Sequence, residues 1–457
     1  MKHTKHVHIS GIVLAWLTLF ALVSCTTTPV PVTPETALQS YLHNDDQSYA
    51  WELSESMDLG GPTAHTLLLT SQEWRGHTWR HTLTVIVPEE VNYDGALLFI
   101  TGGKNEEGMP VKRGRDDDFV KSLAGVAVKN SAVVAIVWQI PNQPLYDGKN
   151  EDELISFTLH NYQNDGDFTW PLLFPMVKSA VKAMDALQEF SEAKLQHDMN
   201  RFVLSGASKR GWTTWLTGAN DPRVEAIAPM VIDVLNMPVN LDYQIKVWNE
   251  YSIQIQDYVK LGIPQQVHDE QGKEIVAMVD PYSYRDSLDM PKMIFIGTND
   301  EYWPVDAVKN YIDDIPGENY IHYVPNAGHN LGGGEQALKA LSAFFGNTMR
   351  HDPYPVCHYK LTEDGSRIML SVEASPDKLL AARLWSTGSG DRDFRDESWN
   401  SQEIETPDQK LIEAEVETPG SGYTAFYVDL EYADPMGGSY TESTRMFVTD
   451  STGVLKD

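Results

Sequence analysis

The chain has 457 residues, long enough for two or three domains and a large core. With 42% hydrophobic and 22% charged residues it has the composition of a folded protein, which excludes a wholly disordered chain. A formal net charge of −30 argues against a nucleic-acid partner and against adsorption on anionic lipid headgroups.

The first residues read as a targeting segment. Lys2 and Lys5 precede an apolar run at 12–23, too short to span a bilayer comfortably but right for a signal peptide, 1–24. Leu22-Val23-Ser24-Cys25 resembles a bacterial lipobox, so Cys25 is expected to carry lipid and 25–36, rich in threonine and proline, to be a tether. That predicts a lipid-anchored protein of the bacterial cell envelope; Thr26 after the cysteine resembles lipoproteins sorted to the outer membrane, facing the periplasm. Cys357 is then left without a partner, so no internal disulfide is expected. No metal or other cofactor is expected either: there are no cysteine pairs, and the closely spaced His3, His6 and His8 lie in the signal.

Residues 37–350 alternate strand and helix patterns. The runs 66–74 and 78–87, around Arg75-Gly76-His77, predict a hairpin of leading antiparallel strands. The stretch 95–103, GALLFITGG, is a buried-strand run closed by Gly102 and Gly103, whose backbone can approach a ligand closely. A polar loop at 104–118 with three consecutive aspartates reads as solvated surface. A strand at 132–138 ends in Trp138. A helix at 170–190 has apolar positions Leu173, Val177, Ala180, Met184 and Leu187, spaced for one buried face. The alternation predicts a mainly parallel sheet with helices on both faces, and a site at the carboxyl ends of its strands.

The stretch 201–211, RFVLSGASKRG, passes from strand through a tight turn into a helix, the setting that exposes a serine hydroxyl. Arg210 stands where G-x-S-x-G has its second glycine, and glycine is delayed to Gly211; a plain strand–helix turn with a capping serine has the same outline. A strand at 227–232 leads to Asp233. An insertion at about 236–290, helical over 241–261, would lie above the strand ends as a lid. KMIFIGTND (292–300) and YIHYVPNAGH (320–329) then place Asp300 and His329 in loops after strands, and 334–345 reads as the closing helix. From 351 to 457 short β-rich runs alternate with turn residues, predicting an immunoglobulin-like β-sandwich domain.

Ser208, Asp300 and His329 occur in the chain order of α/β-hydrolase triads. The three types suit one chemistry: imidazole takes the serine proton, and a carboxylate fixes the imidazole tautomer. Asp233 is the alternative acid, though Asp300 fits the usual slot better. The N–H of Lys209 and one from Gly102 or Gly103 would form the oxyanion hole. Trp138, Arg210 and Trp303 are candidate pocket residues, and Trp212 and Trp215 are further aromatic candidates for which core packing is the favoured use; Arg210 could hold a substrate carboxylate or pair with a neighbouring acid.

GASKRGWTTWLTGANDPRV (206–224), with IGTNDEYWPVD and VPNAGHNL, resembles the PhoPQ-activated pathogenicity-related protein family, an α/β-hydrolase group, over most of the mature chain. The resemblance implies the fold and the triad more firmly than a reaction. It is also similar to glucuronoyl esterases in its serine–basic–x–glycine order, which implies a role for Lys209 in holding the oxyanion. The reading is an envelope serine hydrolase, a carboxylesterase with a small-molecule ester substrate. The alternatives are a serine peptidase and a non-catalytic binding or signalling protein on a hydrolase scaffold.

Overall fold

The computed structural model describes Met1 and residues 31–406 and 410–456, so the signal segment beyond Met1, Cys25 and the expected tether as far as residue 30 lie outside the described residues. The last three residues expected in the tether, from Pro34, are already helical. After helix α1 (Pro34–Leu42) come three antiparallel strands, β1 (Ala50–Asp58), β2 (Thr63–Trp74) and β3 (His77–Val87). The hairpin β2–β3 is where the sequence places it. β1 adds an edge strand whose residues are nearly all exposed, so it carries no apolar alternation to reveal it. β4 (Gly95–Ile100) is buried throughout. A small ribbon of β5 (Asn105–Glu106) and β6 (Met109–Pro110) follows, then α2 (Asp118–Asn130) and β7 (Val133–Val137). The aspartate run is not merely solvated surface: the Asp117 carboxylate accepts from the N–H groups of Phe119 and Val120 and so caps α2.

The chain continues through α3 (Glu151–Asp165), α4 (Leu173–Phe190), β8 (Arg201–Ala207), α5 (Lys209–Asn220) and β9 (Val224–Met230). The insertion contains α6 (Met237–Trp248), the short α7 (Gln256–Val259) and α8 (Glu270–Val279), joined by 3-10 turns. The long helix predicted over 241–261 is thus broken: α6 stops where Asn249 takes a left-handed conformation. β10 (Lys292–Gly297), β11 (Asn319–Val324) and α9 (Glu335–Arg350) complete the α/β part. Strands β7, β4, β8, β9, β10 and β11 lie side by side in that order, all parallel. After β4 the chain places β7 on one side and β8 on the other, a topological switch point, where ligands bind at the carboxyl ends of strands.

Side chains of β4 point alternately to two cores. Ala96, Leu98 and Ile100 join α4 and α5 on one face, while Leu97 and Phe99 join α2 and α9 on the other. A parallel sheet sandwiched between helices, with a hairpin leading in, is the α/β-hydrolase fold. No described helix is long and apolar enough to cross a membrane.

From Cys357 onward the chain is all strands: β12 (Cys357–Asp364), β13 (Arg367–Ala374), β14 (Leu379–Ser389), β15 (Asn400–Ile404), β16 (Leu411–Glu417), β17 (Tyr423–Ala433), β18 (Ser439–Ser443), β19 (Phe447–Asp450) and β20 (Gly453–Val454). β12, β13 and β16 form a three-stranded sheet. Its inward residues Ile368, Leu370, Val372, Ile412 and Ala414 share a core with Phe426, Val428 and Leu430 of β17. This gives the two packed β layers of a sandwich. The second layer is continuous with the central sheet, because β18 pairs with β11 at Ser443 and Ile321. Residues from Thr33 onward form one compact unit.

Candidate active site

At the end of β8 the backbone makes a turn that few residues adopt. Ser208 sits at φ 59° and ψ −129°, with its N–H donating to the Met230 carbonyl and its own carbonyl accepting from Trp212. A non-glycine residue at positive φ is strained by about 1–3 kcal/mol and persists only where its surroundings fix it. The Ser208 side chain does not cap α5, so its hydroxyl is left for other partners. The delayed glycine also has a physical reason. A Cβ on Gly211 would lie 2.7 Å from Cγ2 of Ile232 and 2.9 Å from the Met230 carbonyl, so position 211 faces β9. Arg210 points elsewhere and needs no small residue.

The loop after β10 carries Asp300 and the loop after β11 carries His329. His329 Nδ1 lies 2.9 and 3.1 Å from the two carboxylate oxygens of Asp300. The Asp300 carboxylate also accepts from the Tyr302 N–H, which fixes its plane. The ring of Tyr302 stacks on the imidazole, centroids 4.0 Å apart at 27°. Glu301 accepts from the His329 backbone N–H. His329 Nε2 is buried and has no hydrogen-bond partner among the described residues. Ser208 and His329 line one cavity without a hydrogen bond between them.

The cavity and the open solvent before it together hold about 670 Å³ of atom-free space. Leu159, Trp212, Ile232, Val234, Tyr302 and Trp303 line it from the hydrolase body. The insertion contributes Met237, Leu241, Ile255, Tyr258, Ile263 and Pro264, so the segment expected as a lid does wall the cavity. It is also tied to the acid loop: Gln244 donates to the Tyr302 carbonyl and Ser252 to that of Glu301.

Charged groups beside Ser208 are matched in pairs. Lys209 Nζ lies 3.0 Å from Glu151 and 3.1 Å from Asp152. Arg210 makes a two-pronged bond to Glu151 at 2.7 Å on each side, and its Nε donates to the Ile140 carbonyl. Burial alone would push the Glu151 carboxyl up; the hydrogen bonds and charge of Arg210, with the charge of Lys209, instead hold it down at about 2. Arg210 therefore takes the second of its two expected roles, pairing with an acid. A Cβ on Gly102 would lie 2.6 Å from the Arg210 guanidinium, so this glycine lets the arginine reach Glu151.

The remaining predicted residues divide. Trp303 is in the cavity wall, and so is Trp212, whose indole N–H donates to the Val279 carbonyl. Trp215 is fully buried core. Trp138 is not a pocket residue: it is 4% exposed, packs edge-on against Phe119 and donates to Thr84, on the far side of the sheet from the cavity. Gly102 and Gly103 follow β4 next to β8 but are not in the cavity wall. Asp233 is buried with its carboxylate accepting from the Tyr311 hydroxyl at 2.5 Å, and it makes no contact with His329. Burial, with some help from the charge of Asp300 and against the Tyr311 bond, raises its pKa to about 7.

Sequence reasoning missed Glu151, Asp152 and Tyr302. The first two open α3, a helix whose amphipathic signal is weak, and nothing local says that they face Lys209. It also missed the part played by residues after 390. Asn299 donates to the carbonyls of Phe394, Arg395 and Glu397, and Asn326 exchanges two hydrogen bonds with the Trp399 backbone. The loops bearing Asp300 and His329 are thus braced by the C-terminal part of the chain. Among the described residues no group of three or more His, Cys, Asp or Glu is placed to hold a metal ion.

The family described as PhoPQ-activated pathogenicity-related protein matches residues 38–395. Autocrine proliferation repressor protein A of Dictyostelium discoideum is 29% identical over 448 residues, which is 91% of this chain and 90% of that protein. Acetyl xylan esterase 1 from a Thermoanaerobacterium species aligns over 70% of this chain and 96% of its own, at 17% identity and a TM-score of 0.47. A glucuronoyl esterase from Solibacter usitatus aligns over 69% and 92%, at 12% identity and a TM-score of 0.41.

Proposed function

The chain belongs to the PhoPQ-activated pathogenicity-related protein family, and from that premise we propose that it is a serine hydrolase cleaving carboxylic esters through an acyl-enzyme. One observation carries the reading: Asp300 holds His329 by Nδ1 and leaves Nε2 buried and unpartnered in the cavity that Ser208 also lines. In this mechanism Nε2 accepts the Ser208 proton as Oγ bonds to the ester carbonyl carbon. The resulting oxyanion is held by the N–H of Lys209, at the positive end of α5. Collapse expels the alcohol, which takes the proton from Nε2. Water then attacks the acyl-enzyme with His329 again as base, releasing the acid and restoring Ser208. Asp300 orients the imidazole and stabilises its charged form.

The reading predicts a burst of nitrophenol equal to the enzyme concentration on mixing with p-nitrophenyl acetate, and an acyl adduct on the peptide containing Ser208. Hydrolysis that persists in Ser208→Ala at the wild-type rate would contradict it. Lipidation at Cys25 and residence on the envelope membrane belong to the same proposal; metabolic labelling with a fatty-acid analogue, lost in Cys25→Ala, tests them. A second reading is favoured by the name of the Dictyostelium relative, a repressor of proliferation: binding or signalling on the same scaffold. A biological effect fully retained by Ser208→Ala would support that second reading.

A further inference from the structure

The cavity at Ser208 has an uneven character that bears on what it can hold. Its walls are almost wholly aliphatic and aromatic, with contributions from both the hydrolase body and the insertion. Of its polar members beyond Ser208 and His329, the Trp303 indole N–H is buried without a partner among the described residues, and Lys209, Asp152 and Tyr258 are occupied with one another or with Glu151. Lys209 Nζ is bonded to Asp152 and Glu151, and the Tyr258 hydroxyl donates to the other oxygen of Asp152. Lys209 is 6% exposed, and Arg210 beside it spends both prongs on Glu151. Two cations face two carboxylates, so the cluster presents no net charge to a ligand. A substrate carboxylate entering here would lose its water and have to displace Glu151 or Asp152, and burying such a charge without a partner is costly. A sugar ring would meet few free hydrogen-bonding side chains. An apolar group would gain by leaving water.

We propose, as a deepening of the hydrolase reading on which it rests, that the site takes uncharged esters bearing an apolar chain or ring next to the scissile bond and discriminates against esters that carry a carboxylate. The apolar group could enter from the acyl side or from the alcohol side, and the test separates the two. One arm measures kcat/KM for p-nitrophenyl acetate, butyrate and hexanoate. The other uses ethyl, butyl and hexyl acetate, followed by proton release. Each six-carbon ester is paired with a counterpart ending in a carboxylate. The proposal expects a rise of about fourfold per added methylene in one arm, the equilibrium equivalent of burying one CH₂. It also expects at least a tenfold loss for the carboxylate-ended ester. Ile255→Trp, which fills the cavity from the insertion, is expected to lower the ratio of six-carbon to two-carbon kcat/KM at least fivefold, with its melting curve confirming the fold. Flat series in both arms, or equal or better turnover of the carboxylate-ended ester, would overturn the proposal. The hydrolase reading is checked separately by labelling of Ser208 with a fluorophosphonate; if that fails, the reading beneath the proposal falls, whatever the chain-length series shows.

Discussion

At Ser208 the strain of a positive φ is held in place by the hydrogen bond to Met230 and by the close packing of Gly211 on β9. The neighbouring acids have separate tasks in the account. Asp300→Asn would leave the imidazole in the wrong tautomer, and kcat is expected to fall by about 10³–10⁴-fold. Asp233→Asn keeps an acceptor for Tyr311 and should lower kcat by less than about tenfold. Steady-state ester hydrolysis by the two variants decides this; a larger loss at Asp233 would contradict the assignment. The Asp233 carboxyl also sets a pH dependence of stability. Its folded pKa, about 7, lies above the usual 3.8 because burial disfavours the charged form. Its favourable contribution is therefore complete below about pH 4 and is lost as pH rises through 7. Thermal melts should show Asp233→Asn gaining on wild type between pH 5 and pH 8; a constant difference across that range would contradict the burial argument. The sequence marks both aspartates as following strands, but which one meets His329 depends on loop geometry that no local pattern encodes.

Elements built from strong local signals match the sequence reading: the β2–β3 hairpin, buried β4, the elbow from β8 into α5, and the closing helix α9. Those missed or misdrawn have weak signals. β1 is an exposed edge strand, α3 has little amphipathic contrast, and α6 stops at a left-handed asparagine within a run that is apolar enough to continue. The elbow itself makes a prediction. Gly211→Ala would drive a methyl into Ile232 and two carbonyls, and is expected to destabilise the fold by about 1–3 kcal/mol, read from the denaturant midpoint. An unchanged midpoint would mean that the turn is looser than its contacts imply. Within the insertion, Gln244 and Ser252 hold the carbonyls of Tyr302 and Glu301, so the segment that walls the cavity also steadies the ring stacked on His329. Tyr302→Ala should lower kcat more than it raises KM; an effect on KM alone would assign Tyr302 to substrate contact.

For the whole molecule, the C-terminal strands do more than follow the hydrolase part. They extend its sheet through β18, their Tyr427 ring packs 4.9 Å from Tyr323 of β11, and residues 394–399 brace both candidate loops. Removing residues 351–457 would expose β11 and unbrace Asn299 and Asn326, so the truncated chain is expected to be insoluble or to melt far below the full chain. A stable, active truncation would show the bracing to be dispensable. The β-rich texture of this region is plain from its alternation, but its joining to the parallel sheet is a long-range pairing with no mark in either segment. The central claim, that Ser208 is activated by His329, is tested most directly by labelling the folded protein with a fluorophosphonate probe beside Ser208→Ala and His329→Ala. The account predicts stoichiometric labelling of wild type at Ser208 and none in either variant. Absence of labelling in folded wild type, or labelling that survives in His329→Ala, would contradict it.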